Sequence, residues 1–77
     1  MTPTQLEQAG AVLFGPRWQT DLARALGVSD RSMRRWANGA NPLPDGLRAE
    51  ILELLRARIT EIEKVKAALS APALEQD

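Results

Sequence analysis

Cysteine and histidine are both missing from this chain of 77 residues. Without cysteine there is no disulfide to staple a small core and no thiolate for a zinc finger. Without histidine the commonest metal ligand and the commonest general base are gone. Aromatic residues are few, two tryptophans and one phenylalanine. Long apolar runs are absent as well. The longest, Ala9 to Gly15, falls far short of the roughly 20 residues that a bilayer-spanning helix needs. The opening MTPTQLEQ has no cationic start of the kind a signal peptide carries. There is no Gly-rich phosphate loop, and no base is placed to activate Ser29 or Ser32. These absences argue against an enzyme, a metal or cofactor site and a membrane protein. The expectation is a soluble cytoplasmic protein of one domain, whose small core needs good helix packing or an oligomer to be stable.

Formal net charge is zero, which on its face argues against a nucleic-acid partner. The distribution argues the other way. Residues 17–39 carry five arginines against two aspartates, a local net charge of +3. Residues 1–16 carry only Glu7, and residues 40–77 are net −2. Association is governed by the local potential rather than by the total.

The basic stretch, QTDLARALGVSDRSMRRWANG over residues 19–39, reads as two short helices around a tight corner. Leu22, Ala23 and Leu26 form the inward stripe of the first. Ala23 is small where two crossing helices approach closely. Gly27 follows the last periodic residue and suits a left-handed helix end. Val28 drops toward the core, Ser29 is a good N-cap, and Asp30 complements the positive end of the next helix dipole. The second helix runs from about Asp30 to Asn38 and stops at Gly39. Met33 and Trp36 share its inward face. Asp30, Arg31, Arg34, Arg35 and Asn38 lie opposite, a cationic and hydrogen-bonding comb. Arginine suits guanine O6 and N7, asparagine suits adenine, and aspartate accepts from cytosine N4.

This stretch resembles the helix-turn-helix of the phage Cro and C-repressor family. The resemblance rests on Gln19, Leu22-Ala23, Leu26-Gly27-Val28-Ser29, Met33, Trp36 and Gly39, and extends over about 40 residues, roughly Trp18 to Leu55. It implies an all-α domain of four to five helices with a sequence-specific double-stranded DNA-binding function. It also implies that Gln19 touches a phosphate and braces the recognition helix, while Asp30, Arg31, Arg34 and Arg35 occupy base- and backbone-reading positions. Asp30 stands where familiar members have a glutamine, so the operator sequence is not read off by analogy. The full set of expected DNA-contacting residues is Gln19, Thr20, Ser29, Asp30, Arg31, Arg34, Arg35 and Asn38. Arg17, Trp18 and Arg48 are candidates for phosphate contact. Two places are open to Trp18: against the first helix of the chain, or at the rim with Arg17 on the DNA backbone. Trp36 is expected in the core, and both Asp30 and Asn38 have plain structural roles as alternatives, in the first turn and at the end of the helix.

Elsewhere, Thr2 and Pro3 signal a helix start. Leu6, Ala9, Val12 and Leu13 follow at helical spacing before the Gly15-Pro16 breaker, so a helix is expected over about residues 3–14. Residues 39–45, GANPLPD, form a loop with Leu43 plugging the core. From about Asp45 to Leu69 the chain reads as one continuous helix rich in strong helix formers. Leu47, Ile51, Leu54 and Leu55 suffice to close the core around Trp36. Beyond them Ile59, Ile62, Val65 and Leu69 prolong the apolar stripe in a heptad-like seam that Arg58 interrupts. These four residues are expected to form a homodimer interface, with a kink near Thr60 that folds the helix back as the alternative. The domain is therefore expected to span 1–56, the dimerising extension 57–70 and a frayed tail 71–77.

The functional expectation is a homodimeric autorepressor of a phage or mobile-element operon, an origin implied by the resemblance. It would bind an inverted repeat in successive major grooves, with half-sites roughly 34 Å apart. No cofactor, membrane or small-molecule effector is expected. The alternative is an antitoxin-like or adaptor protein whose long C-terminal helix grips a protein partner.

Overall fold

The computed structural model describes residues 1–71. Four helices follow one another, α1 (Pro3–Phe14), α2 (Trp18–Leu26), α3 (Asp30–Ala37) and α4 (Leu47–Ser70), and no strand occurs among the described residues. No helix there is long and apolar enough to cross a membrane.

Each helix starts and stops where its local chemistry directs. Thr2 and Gln5 cap α1 reciprocally: the Gln5 amide donates to Thr2 Oγ1 at 3.2 Å, and the Thr2 amide donates to Gln5 Oε1 at 3.0 Å. The pair satisfies two N–H groups that a helix start leaves without partners. Pro3 at the first helical position has no N–H to lose. The α2–α3 corner closes with the Val28 amide donating to the Ala23 carbonyl at 2.9 Å and the Gly27 amide to that of Arg24 at 3.2 Å. Gly27 sits there at φ 71°, a left-handed conformation in which a Cβ would be strained. Ser29 then caps α3, its Oγ accepting from the Ser32 amide at 3.0 Å.

Leu6, Leu13, Trp18, Leu22, Ala23, Met33, Leu47 and Ile51 form the buried core, one contiguous cluster fed by all four helices. Leu26, Val28, Trp36, Leu43, Leu54 and Leu55 pack around it, partly buried. The expected plug at Leu43 is therefore in place, whereas Trp36 is a half-buried rim residue rather than the core centre. Met33, with no exposed surface, holds the inward side of α3. The fully packed tryptophan is Trp18, 5% exposed, and it lies flat on Gly10 of α1. A Cβ at Gly10 would collide with Cε3, Cδ2 and Cγ of the indole. The glycine lets α1 and α2 approach closely, and Trp18 is placed against the first helix, not at a DNA-facing rim.

Asp45 and Gly46 form a turn, so α4 begins at Leu47 rather than at Asp45. It then runs unbroken to Ser70. The alternative of a break near Thr60 is not realised: the helix is continuous through that residue, whose Oγ1 donates to the Arg56 carbonyl one turn earlier at 3.2 Å. Arg58, read above as a gap in the apolar seam, has a positive role. Its guanidinium donates to the Leu13 carbonyl at 2.7 Å and lies 5.8 Å from the centre of the Phe14 ring. The last turn of α1 carries no basic residue of its own. Arg58 thus satisfies an orphan carbonyl and places positive charge at the negative end of the α1 dipole. Its hydrogen bond ties α4 to the end of α1. Ile59, Ile62, Val65 and Leu69 are all exposed, so no element among the described residues folds back over them. Ala71 is the C-cap of α4; the rest of the expected tail lies outside the described residues.

Candidate nucleic-acid interface

The outer face of α3 is created by what holds its inner face. Met33 is fully buried and Trp36 and Ala37 pack against the core, which turns Arg31, Arg34 and Arg35 outward, all exposed. Among the described residues none of the three makes an ion pair or a side-chain hydrogen bond. Their donor forks are therefore available to an external acceptor, and arginine matches planar or tetrahedral oxyanions and the guanine edge in bidentate fashion. Arg34 and Arg35 also sit in the last turn of α3, where positive charge suits the helix dipole. That local benefit does not compete with an external contact.

Gln19 comes from the first turn of α2 and reaches the same surface. With Arg34, Ala37 and Asn38 it lines a shallow cleft of about 260 Å³ between α2 and α3. A residue from the first helix of the pair thus stands beside the second. Thr20 is exposed on the same first turn, and Arg17 is exposed at the residue before α2. These three positions share one end of α2.

Other expected contacts are placed differently. Ser29 spends its hydroxyl locally: the oxygen accepts from the Ser32 amide and the hydroxyl donates to Ser32 Oγ at 3.1 Å. Its role is the cap. Asp30 is the exposed first residue of α3, free of ion pairs among the described residues. Asn38 is the C-cap, and its Oδ1 accepts from the Ala40 amide at 2.9 Å. That bond closes the end of the helix and leaves the amide nitrogen and a second lone pair of the oxygen unengaged among the described residues. Trp18 is buried and makes no candidate phosphate contact. Arg48 is exposed on the first turn of α4, but it lines a different groove, with Met1, Gln5, Ala9, Ile51, Leu52 and Leu55 between α1 and α4. It is not brought to the α2–α3 surface. Sequence reasoning missed Arg58 as a fold-positioning residue. Its signal was present, since α1 lacks a basic last turn, but the partner carbonyl is 45 residues away in sequence.

Together α2, the Gly27–Ser29 corner and α3 make a pair of helices packed on α1, with exposed guanidinium groups that are unpaired among the described residues along the outer face of the second helix. Compared with protein-family models, curated proteins and solved structures, the chain finds no match.

Proposed function

We propose that this chain is a sequence-specific regulator that binds double-stranded DNA as a homodimer and represses a phage or mobile-element operon by occlusion. In this reading α3 enters the major groove. Arg31 and Arg34 reach base edges, Arg35 and Arg17 hold phosphates, and Gln19 with Thr20 anchors the start of α2 to the backbone. A second copy brings a second α3 to the other half of an inverted repeat, one helical turn or a multiple of it away. The observation that carries the reading is the row of three exposed, unpaired arginines on α3, held outward by buried Met33. Because the whole chain is electrically neutral, base contacts supply more of its affinity than bulk charge does. The test is titration of labelled DNA from upstream of the chain's own gene against a shuffled duplex at moderate salt. Equal affinity for the two would end the proposal.

A second reading is favoured by the exposed apolar end of α4: an antitoxin-like or adaptor protein that grips a different protein there. A chain that stays monomeric, and binds DNA only when that partner is added, would decide for it.

A further inference from the structure

The face of α4 that packs on the body continues past it. Ile51, Leu55, Arg58, Ile62, Val65 and Leu69 alternate by four and three along one side of the helix. α1 covers this face only as far as Arg58. Both helices run the same way: Met1, Gln5 and Ala9 flank Ile51 and Leu52 near their starts, and the Leu13 carbonyl meets Arg58 near the end of α1. Residues 59–70, about 18 Å of helix at 1.5 Å per residue, project beyond it. Ile62 is 49% and Leu69 78% exposed, and an apolar groove runs along Ile62, Val65 and Leu69 between Glu61 and Lys66.

The charges beside this groove say what fills it. Residues 61–66 read Glu-Ile-Glu-Lys-Val-Lys. Reversed end for end, the segment becomes its own complement: each acid meets a base and each apolar residue an apolar one. On the helix, Glu61 and Lys64 lie on one flank of the stripe, and Glu63 and Lys66 on the other. Among the described residues Glu63, Lys64 and Lys66 form no ion pair, and Glu61 has only a 3.6 Å contact with Arg58. We propose that residues 59–68 pair with the same segment of a second copy in antiparallel fashion, with the two-fold axis between Glu63 and Lys64. Ile62 then opposes Val65 of the second copy, and Leu69 covers its Arg58 at the edge of its body. Glu61 faces Lys64 of the second copy on one flank, and Glu63 faces its Lys66 on the other. Antiparallel pairing is also what the body permits. A parallel pair would match Glu61 with Lys66, but the first half of the second α4 would have to lie where α1 lies. Turned end for end, the overlap is confined to the projecting segments and the Arg58 edge of each body.

This rests on the dimeric reading above and sets its geometry. The experiment is sedimentation equilibrium of the full chain with paired charge reversals on exposed positions. The native chain dimerises, while E61K/E63K and K64E/K66E each weaken self-association by at least about tenfold. An equimolar mixture of the two variants restores the dimer. Orientation follows from Leu69→Cys, the only sulfhydryl in a chain without cysteine. In the antiparallel pair the two sulfurs are roughly 16 Å apart along the axis, beyond disulfide reach, so oxidation leaves no covalent dimer. Four results overturn the proposal: a native chain that stays monomeric, a charge variant that associates as the native chain does, a mixture that fails to dimerise, or a disulfide-linked Leu69→Cys dimer. Arg34→Ala, which perturbs the DNA-facing helix, leaves sedimentation unchanged, so the DNA-binding proposal and this one fail separately.

Discussion

Replacing Gly10 by alanine sets local preference against tertiary packing, and the two differ in sign. In an exposed helix interior the change is favourable by about 0.8–1.0 kcal/mol, because glycine loses more backbone freedom on folding. Here Gly10 is buried in α1 with the indole of Trp18 against it, and the new Cβ collides with three ring atoms. The ring is itself 5% exposed and belongs to the same core cluster as Leu6, Leu13 and Leu22, so it cannot move aside without disturbing the core. The strain passes to the α1–α2 spacing. Overpacking of this kind costs about 1–3 kcal/mol, and a collision with a rigid ring belongs at the upper end. Setting about 3 against about 1 leaves the variant less stable by about 2 kcal/mol. For a domain of this size that lowers Tm by roughly 8–16 °C. Urea and thermal unfolding followed by far-UV circular dichroism measure it. The same substitution in a Trp18→Leu background, where the ring is gone, is neutral or stabilising, and the difference between the backgrounds is the coupling energy of the contact. A Gly10→Ala chain that is more stable than the native one, by the full helix-propensity term, would refute the close approach of α1 and α2.

Three further outcomes are expected. Arg34→Ala weakens binding to the specific site by about 1–3 kcal/mol and affects random DNA less, if the fork reads guanine; fluorescence anisotropy on both duplexes distinguishes this from an equal loss, which would make Arg34 a phosphate contact. Ser29→Ala removes the α3 cap and destabilises the domain by about 1 kcal/mol in urea, with an unchanged midpoint counting against the cap. Arg58→Met keeps the aliphatic stem but strands the Leu13 carbonyl, at a cost of about 1–3 kcal/mol, and an unaltered Tm would show that the tie between α4 and α1 contributes nothing.

Much of the architecture is legible because the signals are local. Thr2-Pro3 and Gly15-Pro16 bracket α1 at its observed ends. The Leu-Gly-Val-Ser corner sets the α2–α3 turn through one left-handed glycine and one capping hydroxyl. The 3.6-residue period places Met33 inward and the three arginines outward. Where two roles compete within a single side chain, spacing alone does not rank them. Asn38 is suited both to reading adenine and to ending a helix; the nearby Ala40 amide donates to its oxygen. Asp45 suits a helix start, yet the Asp45–Gly46 turn delays α4 to Leu47.

The chain's own order of residues determined four helices, the corner between α2 and α3, and which face of α3 carries its guanidinium groups, since all of these depend on neighbours within a few positions. Contacts between distant segments decided the rest. Trp18 is interior because Gly10 leaves a flat surface for its ring; Arg58 is a tie and not a gap because the end of α1 offers it a carbonyl; Arg48 faces a separate groove. The end of α4 stands uncovered because α1 stops at Phe14 while α4 continues to Ser70. Helical period repeats every few residues and is written in one segment, whereas burial is a relation between two.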